Sequence, residues 1–376
     1  MMISNRVASM SQTIFAELSA RARQTGAVNL AQGFPDEDGP VGMLRIAQEE
    51  IARGHNQYAP LTGIPELRQA ISEERRARLG QRWNPDSQVC VTSGATEGIM
   101  AAVLATVNPG DEVIVLDPFY DAYAAAISFA GGLRRSVPLR LTQEGTWGID
   151  VAAIEAAVGP RTRAIIVNNP HNPTGAIFSE EQLRALAALV KEHNLTVISD
   201  EVYERLLAPG EGFLPTASVP GLEDRTITVS SAAKTFNVTG WKTGWVLGPS
   251  DLVGAVTKAK QYLTFVSTTP FQAAVAHVLR EENTWVTQWQ GKLTRRRALL
   301  ADALERNGWR VHPTRGSYFL VAHEPHEGAL PEGVVALPVG ALSDVPENWE
   351  GYYRFCFCKS EEAMAEATRR IEEQSA

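Results

Sequence analysis

The stretch Val89-Cys90-Val91-Thr92-Ser93-Gly94-Ala95-Thr96 decides the fold. Its first four residues are too uniformly apolar for a half-exposed strand, so the strand they predict belongs inside a sheet covered on both faces. Ser93 and Gly94 turn the chain, and 95–107 has helical spacing. Pro109-Gly110-Asp111 then leads into the next β-branched run. Working outward, the alternation persists from about 89 to 248, with strands expected at 89–92, 113–116, 164–167, 196–199, 226–229 and 244–247. A helix is expected over 179–193, opened by the capping box Ser179-x-x-Gln182. This is an α/β pattern with a mostly parallel central sheet and helices on both faces.

After Pro249 the texture changes. Long helical patterns cover 251–279 and 284–306, short strands fall near 310–311 and 317–321, and 323–338 reads as a Gly/Pro-rich loop. A strand over 352–357 and a helix over 361–371 complete a smaller α+β domain. We expect residues 1–40 to pack with that domain, 41–280 to form the large domain and 281–376 the small one.

Composition bounds the function. The chain has 376 residues, 44% hydrophobic and 21% charged, which suits a large globular core and sets disorder aside. Lys and Arg number 35 against 43 Asp and Glu, a net charge of -8, so nucleic acid is a poor candidate partner. No run of 18 apolar residues and no signal-like N-terminus is found, so a cytoplasmic protein without a membrane partner is expected. Cys90, Cys356 and Cys358 read as reduced thiols, Cys356 and Cys358 sharing one strand face. The His residues lack ligand spacing, so no metal is expected.

Four places can carry chemistry. No dinucleotide fingerprint or P-loop is present, but Ser93-Gly94-Ala95-Thr96 joins a strand to a helix N-terminus, where backbone N–H groups attract anions; it also reads as plain strand-to-helix punctuation. Lys234 follows an apolar strand and small residues, where its ammonium would be poorly solvated and its pKa depressed, unless it is a loop lysine reaching water. Asn172-Pro173-Thr174-Gly175 and Asp200-Glu201-Val202-Tyr203 lie at C-terminal strand ends, where open α/β sheets place ligands. Asp200 is either a buried acid paired with a cation or a helix N-cap.

In order and spacing, Gly94-Ala95-Thr96, Tyr120, Asn172-Pro173-Thr174-Gly175, Asp200-x-x-Tyr203, Ser231-x-x-Lys234 and Arg354-Phe355 resemble the class I aminotransferases, fold-type-I enzymes that use pyridoxal 5'-phosphate. The resemblance runs from about 29 to 370. Ala31-Gln32-Gly33-Phe34-Pro35-Asp36, Asn56-Gln57-Tyr58 and Asp117-Pro118-Phe119-Tyr120-Asp121 are similar to the kynurenine, glutamine and methionine branch. Gly33 to Pro40 and Phe355-Cys356-Phe357-Cys358-Lys359 are most similar to its actinobacterial N-succinyldiaminopimelate aminotransferases.

The resemblance implies roles. Lys234 is the Schiff-base lysine and proton carrier, Asp200 faces the pyridine nitrogen, and Tyr203 and Asn172 bind the phenolic oxygen. Tyr120 lies against the ring. Gly94, Ala95, Thr96, Ser231 and Lys242 hold the phosphate, with Lys242 standing where several relatives carry Arg. Arg354, with Gly33 and Asn172, takes the substrate α-carboxylate, and Phe15 lines the substrate pocket with Phe34, Tyr58 and Tyr318. Tyr58 reaches the phosphate of a second subunit, which implies a homodimer with a shared active site. The implied reaction moves the amino group of a small-molecule amino acid to a 2-oxo acid by a ping-pong mechanism. N-succinyl-LL-diaminopimelate with 2-oxoglutarate, in lysine biosynthesis, is the first expectation; kynurenine, glutamine or methionine transamination and cysteine-S-conjugate β-lyase chemistry are the alternatives. About 30 residues precede the matching region, so a regulator with an N-terminal helix-turn-helix is not expected.

Overall fold

The computed structural model describes residues 3, 4, 7 and 13–373. Seven strands form the main sheet: β1 (Val89–Ser93), β2 (Glu112–Asp117), β3 (Leu133–Pro138), β4 (Thr162–Asn168), β5 (Thr196–Asp200), β6 (Thr226–Ser231) and β7 (Thr243–Leu247). Their order is β1-β7-β6-β5-β4-β2-β3, parallel except for β7, which runs antiparallel to both neighbours.

The strands read as apolar throughout because both faces are covered. Ile114, Leu116, Ile165, Val167 and Val197 face one core with helix Glu180–Glu192. Val113, Val115, Ile166, Ile198 and Val229 face another with helices Gly94–Thr106, Asp121–Phe129 and Ser250–Lys260. The capping box forms as expected: Gln182 N donates to Ser179 Oγ at 3.2 Å and Ser179 N to Gln182 Oε1 at 2.9 Å.

The first expectation to fail is the strand count. β3 escapes sequence reading because it is an edge strand, with Leu133, Arg134 and Arg135 exposed and Pro138 at its end. The single long helix over 251–279 is two, Ser250–Lys260 and Thr269–Glu281, because Pro270 can open a helix but not continue one. The 323–338 loop contains two short strands. Val334–Val335 pairs in parallel with Val28–Asn29, and Leu337–Pro338 pairs with a later strand.

A second sheet holds β8 (Arg310–Val311), β9 (Phe319–His323), β10 (Leu337–Pro338) and β11 (Tyr352–Cys356) in the order β8-β9-β11-β10. Cys356 ends β11 and Cys358 lies beyond it; both are buried, with their sulfurs 3.9 Å apart. Helix Ile14–Thr25 packs Leu18 and Ala22 on Val335, Leu337 and Leu342, so this N-terminal segment sits against the C-terminal part of the chain.

Candidate active site

One edge of the main sheet gathers the chemistry. β1, β2, β4, β5 and β6 all end there, at Ser93, Asp117, Asn168, Asp200 and Ser231, and antiparallel β7 starts there just after Lys242. Register sets the spacing: Asn168 lies opposite Asp200, Ser231 opposite Gly244, and Thr243 opposite Ser93. Above this edge is a cavity of about 410 Å³, large enough for a cofactor and a small substrate. Of the residues singled out in the sequence, Phe15, Gly33, Gly94, Ala95, Thr96, Tyr120, Asn172, Asp200, Tyr203, Ser231, Lys234, Lys242 and Arg354 all line it.

At one end, helix Gly94–Thr106 begins with no side-chain cap, so its first N–H groups are left for another acceptor. Gly94 has a φ of +76°, and a Cβ there would stand 3.2 Å from Lys242 Nζ, so that ammonium lies against the helix N-terminus. Gly244 is also required: a Cβ on it would meet the Gly94 carbonyl carbon at 2.6 Å. A helix end and a cation converge on one point, an arrangement suited to a phosphate.

Asp200 is buried beside the cavity. Tyr123 Oη donates to its Oδ2 at 2.7 Å and the Val202 N–H to its Oδ1 at 3.3 Å. No helix starts here, so Asp200 is an enclosed acid rather than an N-cap. Burial pushes its carboxyl up to about 6, against the hydrogen bonds from Tyr123 and Val202 and the charge of Lys234. Tyr203 is raised well above the usual phenol range by burial, with Arg354 opposing.

Lys234 Nζ donates to the Gly33 carbonyl at 3.4 Å. Loss of hydration lowers its pKa to about 8; Arg354 and Lys242 push the same way, while Cys358 and Asp200 oppose. Such an amine is partly neutral near physiological pH and can act as nucleophile or base.

Arg354 is 1% exposed, on β11 opposite Val321. Its Nη1 donates to Asn172 Oδ1 at 2.7 Å and its Nη2 to the Ala31 carbonyl, while the guanidinium carbon stacks 3.9 Å from the centre of the Phe319 ring. Nε is buried without a partner, and among the described residues no carboxylate pairs with this guanidinium. A buried cation lacking an anion is costly, and a carboxylate brought in by a ligand would compensate it.

Tyr58 stands as a residue expected to serve a second subunit, and one pocket expectation, Tyr318, needs correcting. Tyr58 is 80% exposed and outside the cavity, its ring edge-on to Phe265 at 5.4 Å, so it does not reach the site within its own chain. Tyr318 lies behind the wall, donating from Oη to the Gly33 carbonyl at 2.7 Å, and its neighbour Phe319 lines the cavity instead. Tyr123, the partner of Asp200, is not among the residues expected from the sequence; its one signal there is its place one helical turn after Tyr120. Phe319 has no sequence signal beyond its adjacency to Tyr318.

The family model described as aminotransferase class I and II matches residues 25–371. A probable N-succinyldiaminopimelate aminotransferase of Mycobacterium tuberculosis is 46% identical, covering 98% of this chain and 97% of that protein. The methionine aminotransferase of Escherichia coli is 35% identical, covering 98% and 97%. The solved N-succinyldiaminopimelate aminotransferase structure from M. tuberculosis superposes with a TM-score of 0.95 at 46% identity, covering 99% of each chain.

Proposed function

The chain belongs to the class I and II aminotransferases, and from that premise we propose that it uses pyridoxal 5'-phosphate to transfer the amino group of N-succinyl-LL-diaminopimelate to 2-oxoglutarate, as a cytoplasmic homodimer. One observation carries the reading: Arg354, a buried guanidinium without a carboxylate partner among the described residues, shares a cavity with Lys234, an amine lowered to about 8.

The residues present fit this cofactor. The uncapped helix start at Gly94, with Ala95, Thr96, Ser231 and Lys242, suits its phosphate; Asp200 suits its ring nitrogen; Tyr203 and Asn172 suit its phenolic oxygen; Tyr120 suits its ring face. When bound, pyridoxal phosphate supplies an aldehyde that condenses with amines and a ring that draws electrons from the substrate α-carbon.

The protein's part is positioning and proton transfer. Arg354 orients the α-carboxylate through its planar fork, assisted by the Gly33 N–H, which has no partner among the described residues. Lys234 Nζ, once free, takes the proton from the substrate α-carbon, and its lowered pKa leaves a neutral fraction to do so. Asp200, fixed by Tyr123, holds a proton at the ring nitrogen. Phe15 and Phe319 flank the guanidinium and exclude water from the ion pair it forms with substrate.

The substrate choice rests on the relative that is 46% identical over nearly the full chain. A methionine-type substrate is the second reading, supported by the aromatic wall of Phe15 and Phe34 and the 35% identical relative. The visible spectrum of the protein with pyridoxal phosphate tests both. We expect an absorption band absent in Lys234→Ala that shifts on adding N-succinyl-LL-diaminopimelate and less readily on adding methionine. Failure to bind the chromophore at all would refute the proposal.

A further inference from the structure

The contacts of Gln32 determine which end of its side-chain amide is available. Asn29 Oδ1 accepts the backbone N–H groups of Ala31 at 3.1 Å and Gln32 at 3.3 Å, which fixes the Asn29 amide with its oxygen on that side. Asn29 Nδ2 is therefore the end that donates to Ser19 Oγ, 3.3 Å away. Ser19 Oγ accepts from Asn29, so its own proton is left for Gln32, and Ser19 donates to Gln32 Oε1 at 2.5 Å. The relay from backbone through Asn29 and Ser19 leaves Gln32 Nε2 as the free end. That nitrogen has no partner among the described residues and is not among the buried unpartnered atoms, so it is accessible from outside the protein interior.

Gln32 lines the cavity beside Gly33, and Ser19 follows Phe15, another wall residue, by one turn of helix Ile14–Thr25. The α-carboxylate is matched by Arg354 and the Gly33 N–H. A further oriented donor on the Phe15 side is left for the next acceptor along the substrate.

We infer that Gln32 is a specificity-determining residue whose Nε2 donates a hydrogen bond to an oxygen in the side chain of the amino donor. This rests on the aminotransferase reading and narrows it: donors ending in an amide or carboxylate are preferred over aliphatic ones of equal length. A donor held by a three-residue relay discriminates because its orientation is set before the ligand arrives.

Glutamine and norleucine, similar in length but with and without a terminal oxygen, provide the test. Gln32→Leu removes both the donor and the oxygen that accepts from Ser19, and Gln32→Met does the same while keeping the length of the side chain, so neither can pair with the ligand amide in either direction. In each variant the ratio of kcat/KM for glutamine over norleucine should fall about 10- to 100-fold. The ratio of calorimetric affinities for glutaramate over hexanoate, which lack the amino group and do not react, should fall in the same sense. Equal losses for both members of each pair would overturn the inference, placing Gln32 with the α-carboxylate or with segment packing. If the native protein turns over no amino acid, the aminotransferase reading fails, and the glutaramate to hexanoate ratio decides the role of Gln32 alone.

Discussion

Lys234 illustrates how a functional residue is held against its own solvation. Its charged form has lost water and gained one carbonyl, that of Gly33 at 3.4 Å, so folding favours the neutral amine. The unfolded value is near 10.5 and the folded value about 8. Below pH 8 the amine is charged in both states and the folded protein bears the whole penalty. As pH rises from 8 to 10.5 the folded amine is neutral while the unfolded one is still charged, and the penalty shrinks to nothing. Lys234→Met should therefore stabilise the cofactor-free protein by about 3 kcal/mol at pH 7, with the gap narrowing toward pH 10.5. Denaturant titrations at pH 7 and pH 10 check this, and an equal gap at both would contradict it.

The strand-to-helix turn at Ser93 and Gly94 works as a unit. The positive φ of Gly94, the nearness of Lys242 Nζ and the close approach of Gly244 all depend on the absence of a side chain. Gly94→Ala should cost about 1 kcal/mol in stability from backbone strain and weaken pyridoxal phosphate binding at least ~10-fold, by displacing Lys242. Fluorescence titration with the cofactor measures the second effect; unchanged affinity would remove this turn from the phosphate site. The capping box at Ser179 offers a contrast, since there the helix start supplies its own side-chain acceptor for the Gln182 N–H, which the start at Gly94 lacks.

At the scale of the whole molecule, Tyr58 and Tyr262 are 80% and 84% exposed, and Leu263 and Phe265 are also exposed. So many large apolar groups in one region mark an interaction surface. The homodimer proposed above would cover these side chains, and Tyr58 is the residue proposed to enter the site of the other subunit. Sedimentation should show a dimer, and Tyr58→Phe should lower cofactor affinity about 10-fold while leaving the dimer intact; a fully active monomer would overturn the shared site. Nearby, Lys260 is buried and donates to the Leu61 carbonyl at 3.1 Å and the Phe265 carbonyl at 2.6 Å, tying the two loops that carry these aromatics.

By itself the sequence determined the α/β alternation, because strands covered on both faces are apolar at every position and their turns carry Gly and Pro. Through the resemblance that its motifs carry, it also pointed to most of the residues that line the cavity, although not to Tyr123 or Phe319. Only the tertiary structure decided the edge strand Leu133–Pro138, whose exposed side chains carry no apolar signal, and the parallel pairing of Val28–Asn29 with Val334–Val335, whose partners lie far apart in the chain. It also decided the partners of the buried polar groups: Tyr123 for Asp200, Asn172 for Arg354, and Ser19 for Gln32. Periodicity reports how often a side chain meets the core, whereas a hydrogen bond between distant residues depends on where two separate elements are brought to rest.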